Sequence, residues 1–297
     1  MNQNITNSGI LTTGGQTNVD QSAVGPGAQV TFGRAAESAA DRPSGVGVIT
    51  VLSEEANAVR EVLGLRRVHK GELPFMEGNV LAAGRNIDIA AIRTLKMGPR
   101  STMATFQQLR DHYSPTVIAL TGIGGGIHPD AAIGDVVITN RVIYYDQRRE
   151  TPQGPRYRGE ALEAPAAIGR ALNSYFDDHG EPAVLDDDET RSQYRVHTGP
   201  IGSGDAVITD SDSHIIRYLT GFNEHTRAID MEGAGLSEAF HEQTGRTAVR
   251  GWVIVRGISD DASAHRNYDH HQLAARRAAQ VLKTLLPYLP IDDDTHT

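Results

Sequence analysis

Three strand-like stretches of this chain end on carboxylates. Val253-Ile254-Val255-Arg256-Gly257-Ile258-Ser259-Asp260-Asp261 sets two adjacent acids directly after an apolar run. A carboxyl drawn out of water there can keep its proton and serve as a general acid. The same residues can instead open a helix, with Ser259 or Asp260 as its N-cap. Ala228-Ile229-Asp230-Met231-Glu232-Gly233-Ala234-Gly235 sets Glu232 among small residues between a strand and a helix. It is either a first-turn carboxylate favoured by the helix dipole or an acceptor for the two hydroxyls of a ribose-like diol. Ser53-Glu54-Glu55 follows the first apolar run and offers further carboxylates or, again, a helix start capped by Ser53.

A fourth strand end, Thr121-Gly122-Ile123-Gly124-Gly125-Gly126, carries glycines in place of acids. Such a run lets backbone approach a ligand closely, or simply turns. No Gly-Lys-Ser/Thr follows it, and Ile127 stands where the last glycine of G-x-G-x-x-G would be, so neither phosphate-loop pattern fits. Ser203 in Gly202-Ser203-Gly204-Asp205 lacks the G-x-S-x-G elbow of a serine nucleophile. His265, His270 and His271 lie close in sequence without H-E-x-x-H spacing, so no metal site and no cofactor is expected. The acidic runs Asp186–Glu189 and Asp292–Asp294 read as solvated loop and tail.

Something must hold these strand ends together. Apolar or alternating runs predict strands over Gly45–Leu52, Thr116–Ile127, Asp135–Asp146 (one strand or a hairpin), Arg195–Ile208 and Gly251–Ala262, and two strands around a glycine turn over Asn79–Arg93. Helical spacing falls on Ser53–Gly64, Ser101–Tyr113, Ala164–Gly180, Gly233–Gly245 and Asp269–Leu289, with Gly180 and Gly245 as stops. Alternating strands and helices predict the α/β class: a three-layer α/β/α sandwich with a central mixed β-sheet, whose chemistry sits at the carboxyl ends of strands.

The chain has 297 residues, no cysteine, and 28 Lys+Arg against 37 Asp+Glu, a formal charge of −9. That excludes disulfides, thiolate metal sites and a cysteine nucleophile, and argues against nucleic-acid binding. No apolar run reaches the ~18 residues of a membrane span, and the first residues carry no secretory signal, so a cytoplasmic protein is expected. Residues 1–44 are Gly/Ser/Thr/Asn-rich and read as a low-complexity leader, disordered or docking on a protein partner; 45–289 read as one catalytic domain and 290–297 as an acidic tail.

In order, the motifs VGVITVLSEEA, TGIGGGI with GDVVI after it, GSGDAVI, DMEGAG and VRGISDDA resemble the nucleoside phosphorylase/nucleosidase superfamily, closest to its 5′-methylthioadenosine/S-adenosylhomocysteine nucleosidase branch. The resemblance implies hydrolysis of the N-ribosidic bond of adenine nucleosides, as in nucleoside catabolism and methionine salvage. It implies a homodimer whose neighbouring chain completes the 5′ site. By position, Asp260 matches the acid that protonates N7 of the leaving purine, and Glu55 the carboxylate that activates water. Met231 and Glu232 match the ribose pair, Ile208 the backbone reader of the adenine edge, and Gly124 and Gly125 the lining of base and sugar. Ser259 and Arg256 are expected at the substrate as well, and Met97, Arg148 and Arg149 at its 5′ group.

Departures from the pattern sharpen these expectations. The phosphorylase branches hold phosphate with a glycine-rich first loop, a basic residue before the glycine strand end and a Ser within it; here those places read Ser53-Glu54-Glu55, Leu120 and Ile123. Hydrolysis, not phosphorolysis, is the expectation. Val207 stands where an aromatic usually stacks on adenine. Residues 141–160 hold five Arg against three acids, where the family loop is largely apolar. Arg forks suit phosphate oxygens, so a nucleotide N-glycosidase acting on AMP or ATP as a defence effector is the alternative enzyme. A non-catalytic nucleoside sensor signalling through the leader is the alternative outside enzymes.

Overall fold

The computed structural model describes residues 45–244, 249–263 and 268–291. The leader, Gly245, His265 and Asp292–Asp294 lie outside them. In chain order the elements are β1 (Val46–Thr50), α1 (Ser53–Val62), β2 (Arg66–Lys70), β3 (Leu73–Ala82), β4 (Arg85–Arg93), α2 (Pro99–Tyr113), β5 (Val117–Gly126), β6 (Val136–Thr139), β7 (Arg141–Tyr144), β8 (Arg148–Thr151), β9 (Gly154–Tyr157) and β10 (Glu160–Glu163). Then come α3 (Ala166–His179), β11 (Ala183–Asp187), β12 (Ser192–Thr198), β13 (Ile201–Ser203), α4 (His214–Phe222), β14 (Ala228–Asp230), α5 (Gly233–Glu242), β15 (Gly251–Asp260) and α6 (His271–Leu285).

The sheet is mixed, and β5 is its branch point. Along one edge β5 pairs in parallel with β1 through Val117–Leu120, then antiparallel with β14 at Gly125 and Gly126. Along the other it runs parallel to β15. β1 and β15 read as unbroken apolar runs because both faces are covered, and every residue of each is buried. Helices close both faces. A Cβ on Gly257 would run into the backbone of Ala274 in α6, whereas Ile254, three positions earlier and so on the opposite face, reaches Gly233 at the start of α5. This is the expected three-layer arrangement. Among the described residues no helix is long and apolar enough to cross a membrane.

Several local expectations shift. The glycine run does not turn; it stays in strand to Gly126. Asp135–Asp146 is neither one strand nor a hairpin, because β6 joins β12 and β15 while β7 joins β10 and β13. The β3–β4 turn falls at Ala83 and Gly84, both at positive φ, but β3 begins at Leu73 and pairs with β2, whose sequence RRVHK has no apolar alternation to announce it. Ser53 is not the cap of α1: Leu52 holds that position, and the Glu55 carboxylate accepts its N–H. α5 stops at Glu242, before Gly245, where the Gln243 side-chain amide bonds both the N–H and the carbonyl of Val249.

The acidic run Asp186–Glu189 is not simply a solvated loop. Asp187 is buried at the end of β11 and accepts hydrogen bonds from Arg276 and Arg277 of α6 at 2.9–3.0 Å. Arg277 also donates to the Gly134 carbonyl, so one carboxylate ties a hairpin to the last helix.

Candidate active site

α1 starts within two residues of the end of β1, so its third residue, Glu55, folds back under the strand end. One carboxylate oxygen accepts the N–H groups of Val51 (2.7 Å) and Leu52 (2.9 Å); the other accepts that of Ile123 (2.9 Å). The third bond exists because of the sheet. Between Leu120, where β1 leaves β5, and Gly125, where β14 joins, that edge of β5 has no strand partner. Gly122 is required there, since a Cβ would occupy the space of the Glu55 carboxylate and the Arg256 guanidinium.

Arg256, on β15, is wholly buried. Its Nε (2.9 Å) and Nη2 (2.7 Å) both donate to one oxygen of Asp230, and Nη2 also donates to Glu232 at 3.0 Å. The other oxygen of Glu232 accepts the N–H of Gly98 at 2.9 Å. Burial pushes the Glu232 carboxyl up to about 7, with Asp230 and Glu55 adding to it and Arg256 and the Gly98 N–H opposing. The direction is what one guanidinium shared among three nearby carboxylates requires. Arg256 Nη1 is buried and has no hydrogen-bond partner among the described residues. It and the Glu55 oxygen bound to Ile123 both face the empty side of Gly122. A polar gap between a donor and a carboxylate is a place for an ordered water.

Asp260 ends β15, beside Gly125 of β5. It does not cap a helix. One oxygen accepts the Ser259 hydroxyl and the other the Ala262 N–H, each at 3.0 Å. The β15–β5 register slips between Ile258 and Asp260, the kind of irregularity that re-aims a side chain. Glu55 thus bonds β5 at Ile123 and Asp260 lies against it at Gly125, two residues or roughly 7 Å along the strand.

These groups open on one cavity of about 340 Å³. Of the residues expected from sequence, Glu55, Met97, Gly124, Gly125, Val207, Ile208, Met231, Glu232, Ser259 and Asp260 line it. Arg256 lies behind the lining and reaches the cavity through Asp230 and Glu232. Arg148 and Arg149 are not among the lining residues; they lie on the β8–β9 hairpin, where Arg148 pairs with Glu150 (2.7 Å) and Asp146 (3.5 Å). Ser203 is not among the lining residues; its buried hydroxyl accepts the N–H of Ala234 at the start of α5. No metal-holding group of three or more His, Cys, Asp or Glu occurs among the described residues.

Sequence reading gave no place at the substrate to three titratable lining residues, Asp230, Glu54 and His271. Asp230 was legible in principle: it sits two positions before Glu232 at a strand end. Glu54 was offered with Glu55 as a strand-end carboxylate, but its meeting with His271, 3.6 Å between Oε1 and Nδ1, was not legible, because it joins α1 to α6 across more than two hundred residues.

A family model described as the phosphorylase superfamily matches residues 46–287. A 5′-methylthioadenosine/S-adenosylhomocysteine nucleosidase of Mycobacterium tuberculosis is 27% identical over 271 residues, covering 83% of this chain and 97% of that protein. One of Listeria innocua is 26% identical over 257 residues, covering 81% and 99%. The solved structure of the Neisseria meningitidis 5′-methylthioadenosine/S-adenosylhomocysteine nucleosidase in complex with methylthio-immucillin-A shares the fold, with a TM-score of 0.63 at 19% identity over 82% of this chain and 99% of that one. The futalosine hydrolase of Helicobacter pylori is similar too, with a TM-score of 0.63 at 17% identity, covering 82% and 97%.

Proposed function

This chain belongs to the phosphorylase superfamily, and from that premise we propose that it hydrolyses the N-ribosidic bond of adenine nucleosides of the methylthioadenosine/adenosylhomocysteine type. The observation that carries this reading is the placement of Glu55 and Asp260 at the two edges of β5, against Ile123 and Gly125, so that both line one cavity, with Arg256 Nη1 and Glu55 facing a shared gap.

Breaking a ribosyl C–N bond builds oxocarbenium character at C1′ and negative charge on the base. Asp260, steadied by the Ser259 hydroxyl, delivers a proton to the departing purine. On the other side Glu55 takes a proton from a water held between it and Arg256, and the water oxygen bonds to C1′. Each step contributes about 10²–10⁴-fold. Glu232 already accepts from Gly98 and Arg256, and a carboxylate with about four acceptor sites has two left for the ribose hydroxyls. The backbone at Ile208 reads the adenine edge, and the half-exposed Val207 gives the base an apolar wall in place of an aromatic stack.

Water suits the gap better than phosphate. An anion there would meet the Glu55 carboxylate, and the Arg256 guanidinium beside it already serves Asp230 and Glu232. The test is adenine release with and without phosphate: a free sugar in both supports hydrolysis, and phosphate-dependent formation of a sugar 1-phosphate overturns it. The nucleotide reading would need Arg148 or Arg149 at the 5′ site of a neighbouring chain; within its own chain Arg148 is paired with Glu150 and Asp146. A homodimer remains part of the proposal, and sedimentation of the full chain tests it.

A further inference from the structure

Tyr145 and Asp146 follow β7, beside the end of β13, where Ser203 pairs with Tyr144. Residues 204–213 beyond it form neither strand nor helix. Within that stretch Ala206, Val207 and Ile208 line the cavity. Val207 and Ile208 make no backbone hydrogen bond among the described residues, so their N–H and C=O groups are available to a ligand. Backbone that meets a ligand from an irregular segment has to be held in place by something else.

Tyr145 and Asp146 hold it. The Tyr145 N–H donates to the Ser203 carbonyl at 3.2 Å, and Asp146 Oδ2 accepts the N–H of Asp205. The Tyr145 hydroxyl donates to the Ala206 carbonyl at 3.1 Å. The Tyr145 ring is wholly buried, and a Cβ on Gly204 would run into it. Burial, with Asp146 adding to it, pushes the phenol up, so the hydroxyl stays a donor. The ring belongs to a small apolar cluster with Ile229 and Ala262, and Ile208 packs against the same cluster. Ala262 is the residue whose N–H bonds Asp260. The segment is thus fastened beside the proposed general acid.

A peptide unit is planar and trans, so holding the Ala206 carbonyl also sets the direction of the Val207 N–H. Direction matters for a purine. A 6-aminopurine offers a donor at its exocyclic nitrogen and an acceptor at N1; a 6-oxopurine offers the reverse. Backbone groups tell the two apart only when they cannot turn to suit either, because the wrong base then leaves them unpaired.

Resting on the hydrolase reading above, we propose that Tyr145 is a positioning residue for base specificity: its hydroxyl fixes the 206–208 backbone and thereby sets the preference for a 6-aminopurine over a 6-oxopurine.

The experiment measures kcat and KM of the full chain and its Tyr145→Phe variant with methylthioadenosine and with its 6-oxo counterpart, methylthioinosine. The parent is expected to favour methylthioadenosine. Tyr145→Phe keeps the buried ring and removes one hydrogen bond. Its kcat/KM for methylthioadenosine is expected to fall about fivefold, through KM, while that for methylthioinosine holds, so the preference narrows by the same factor. A purely structural role would lower both substrates alike and leave the ratio unmoved. Asp146→Ala, which releases the Asp205 N–H, narrows the ratio in the same direction and serves where the Phe variant does not fold. A parent without preference between the bases, or variants that keep the parental ratio, overturns this inference and leaves hydrolysis standing. No base released from either substrate overturns both.

Discussion

The Glu55 carboxylate accepts the backbone N–H of Ile123 at 2.9 Å, joining the first helix to the middle of the branching strand across 68 positions of sequence. Both of its oxygens are engaged by backbone, so the group is fixed in place before any substrate arrives. In Glu55→Gln an amide NH₂ must face a backbone N–H on one side. Activity is expected to fall about 10²–10⁴-fold. Stability falls by about 1–3 kcal/mol for the buried donor left unmatched. Steady-state kinetics and a denaturant midpoint on the same preparation read both.

Asp260→Asn removes the transferable proton while keeping the size of the side chain. A fall in kcat of about 10²–10⁴-fold is expected, with substrate affinity nearly kept. Ser259→Ala takes away only the hydroxyl that steadies Asp260 at 3.0 Å, and about tenfold is expected. A Ser259 variant as damaged as the Asp260 one would show that the serine does more than position its neighbour.

Glu232 makes binding depend on pH. Its carboxyl is raised to about 7 from the ordinary 4.5, so it contributes stability that is fully present below 4.5 and is lost as pH rises through about 7. Acceptance of a diol needs the ionised form, which grows over the same range. Nucleoside affinity, measured by calorimetry from about pH 5 to about 8, is therefore expected to tighten upward while the unliganded protein loses a little stability. Glu232→Gln should bind weakly with no such trend.

Arg256 tests the buried charge network. Arg256→Met would leave Asp230 and Glu232 as uncompensated buried acids, a destabilisation of about 3–5 kcal/mol. Arg256→Lys keeps the charge but not the fork that gives Asp230 two bonds. It is expected to fold, with a lower denaturant midpoint and slower turnover. A Met variant as stable as the parent would contradict the network drawn here.

What the sequence by itself determined is the alternation of strands and helices and the chemistry of the strand ends. Those signals are local. A buried two-sided strand is a continuous apolar run, and a functional carboxylate at its end stands out against that run, as Glu55, Glu232 and Asp260 do. What only the tertiary structure decided is which groups meet. That Arg256 binds Asp230 and Glu232, that Gly98 completes Glu232, that His271 approaches Glu54, and that Asp187 is buried against α6 are all contacts between distant segments. Residue type and spacing carry no trace of them, because a side chain's period reports only which face of its own element it occupies. The partner is set by how the elements pack around the branch in β5, where the sheet leaves a strip of backbone for Glu55 to hold. The same reason governs the arginines of the β8–β9 hairpin: their charge was plain in the sequence, and that they do not line the cavity of their own chain was a matter of packing.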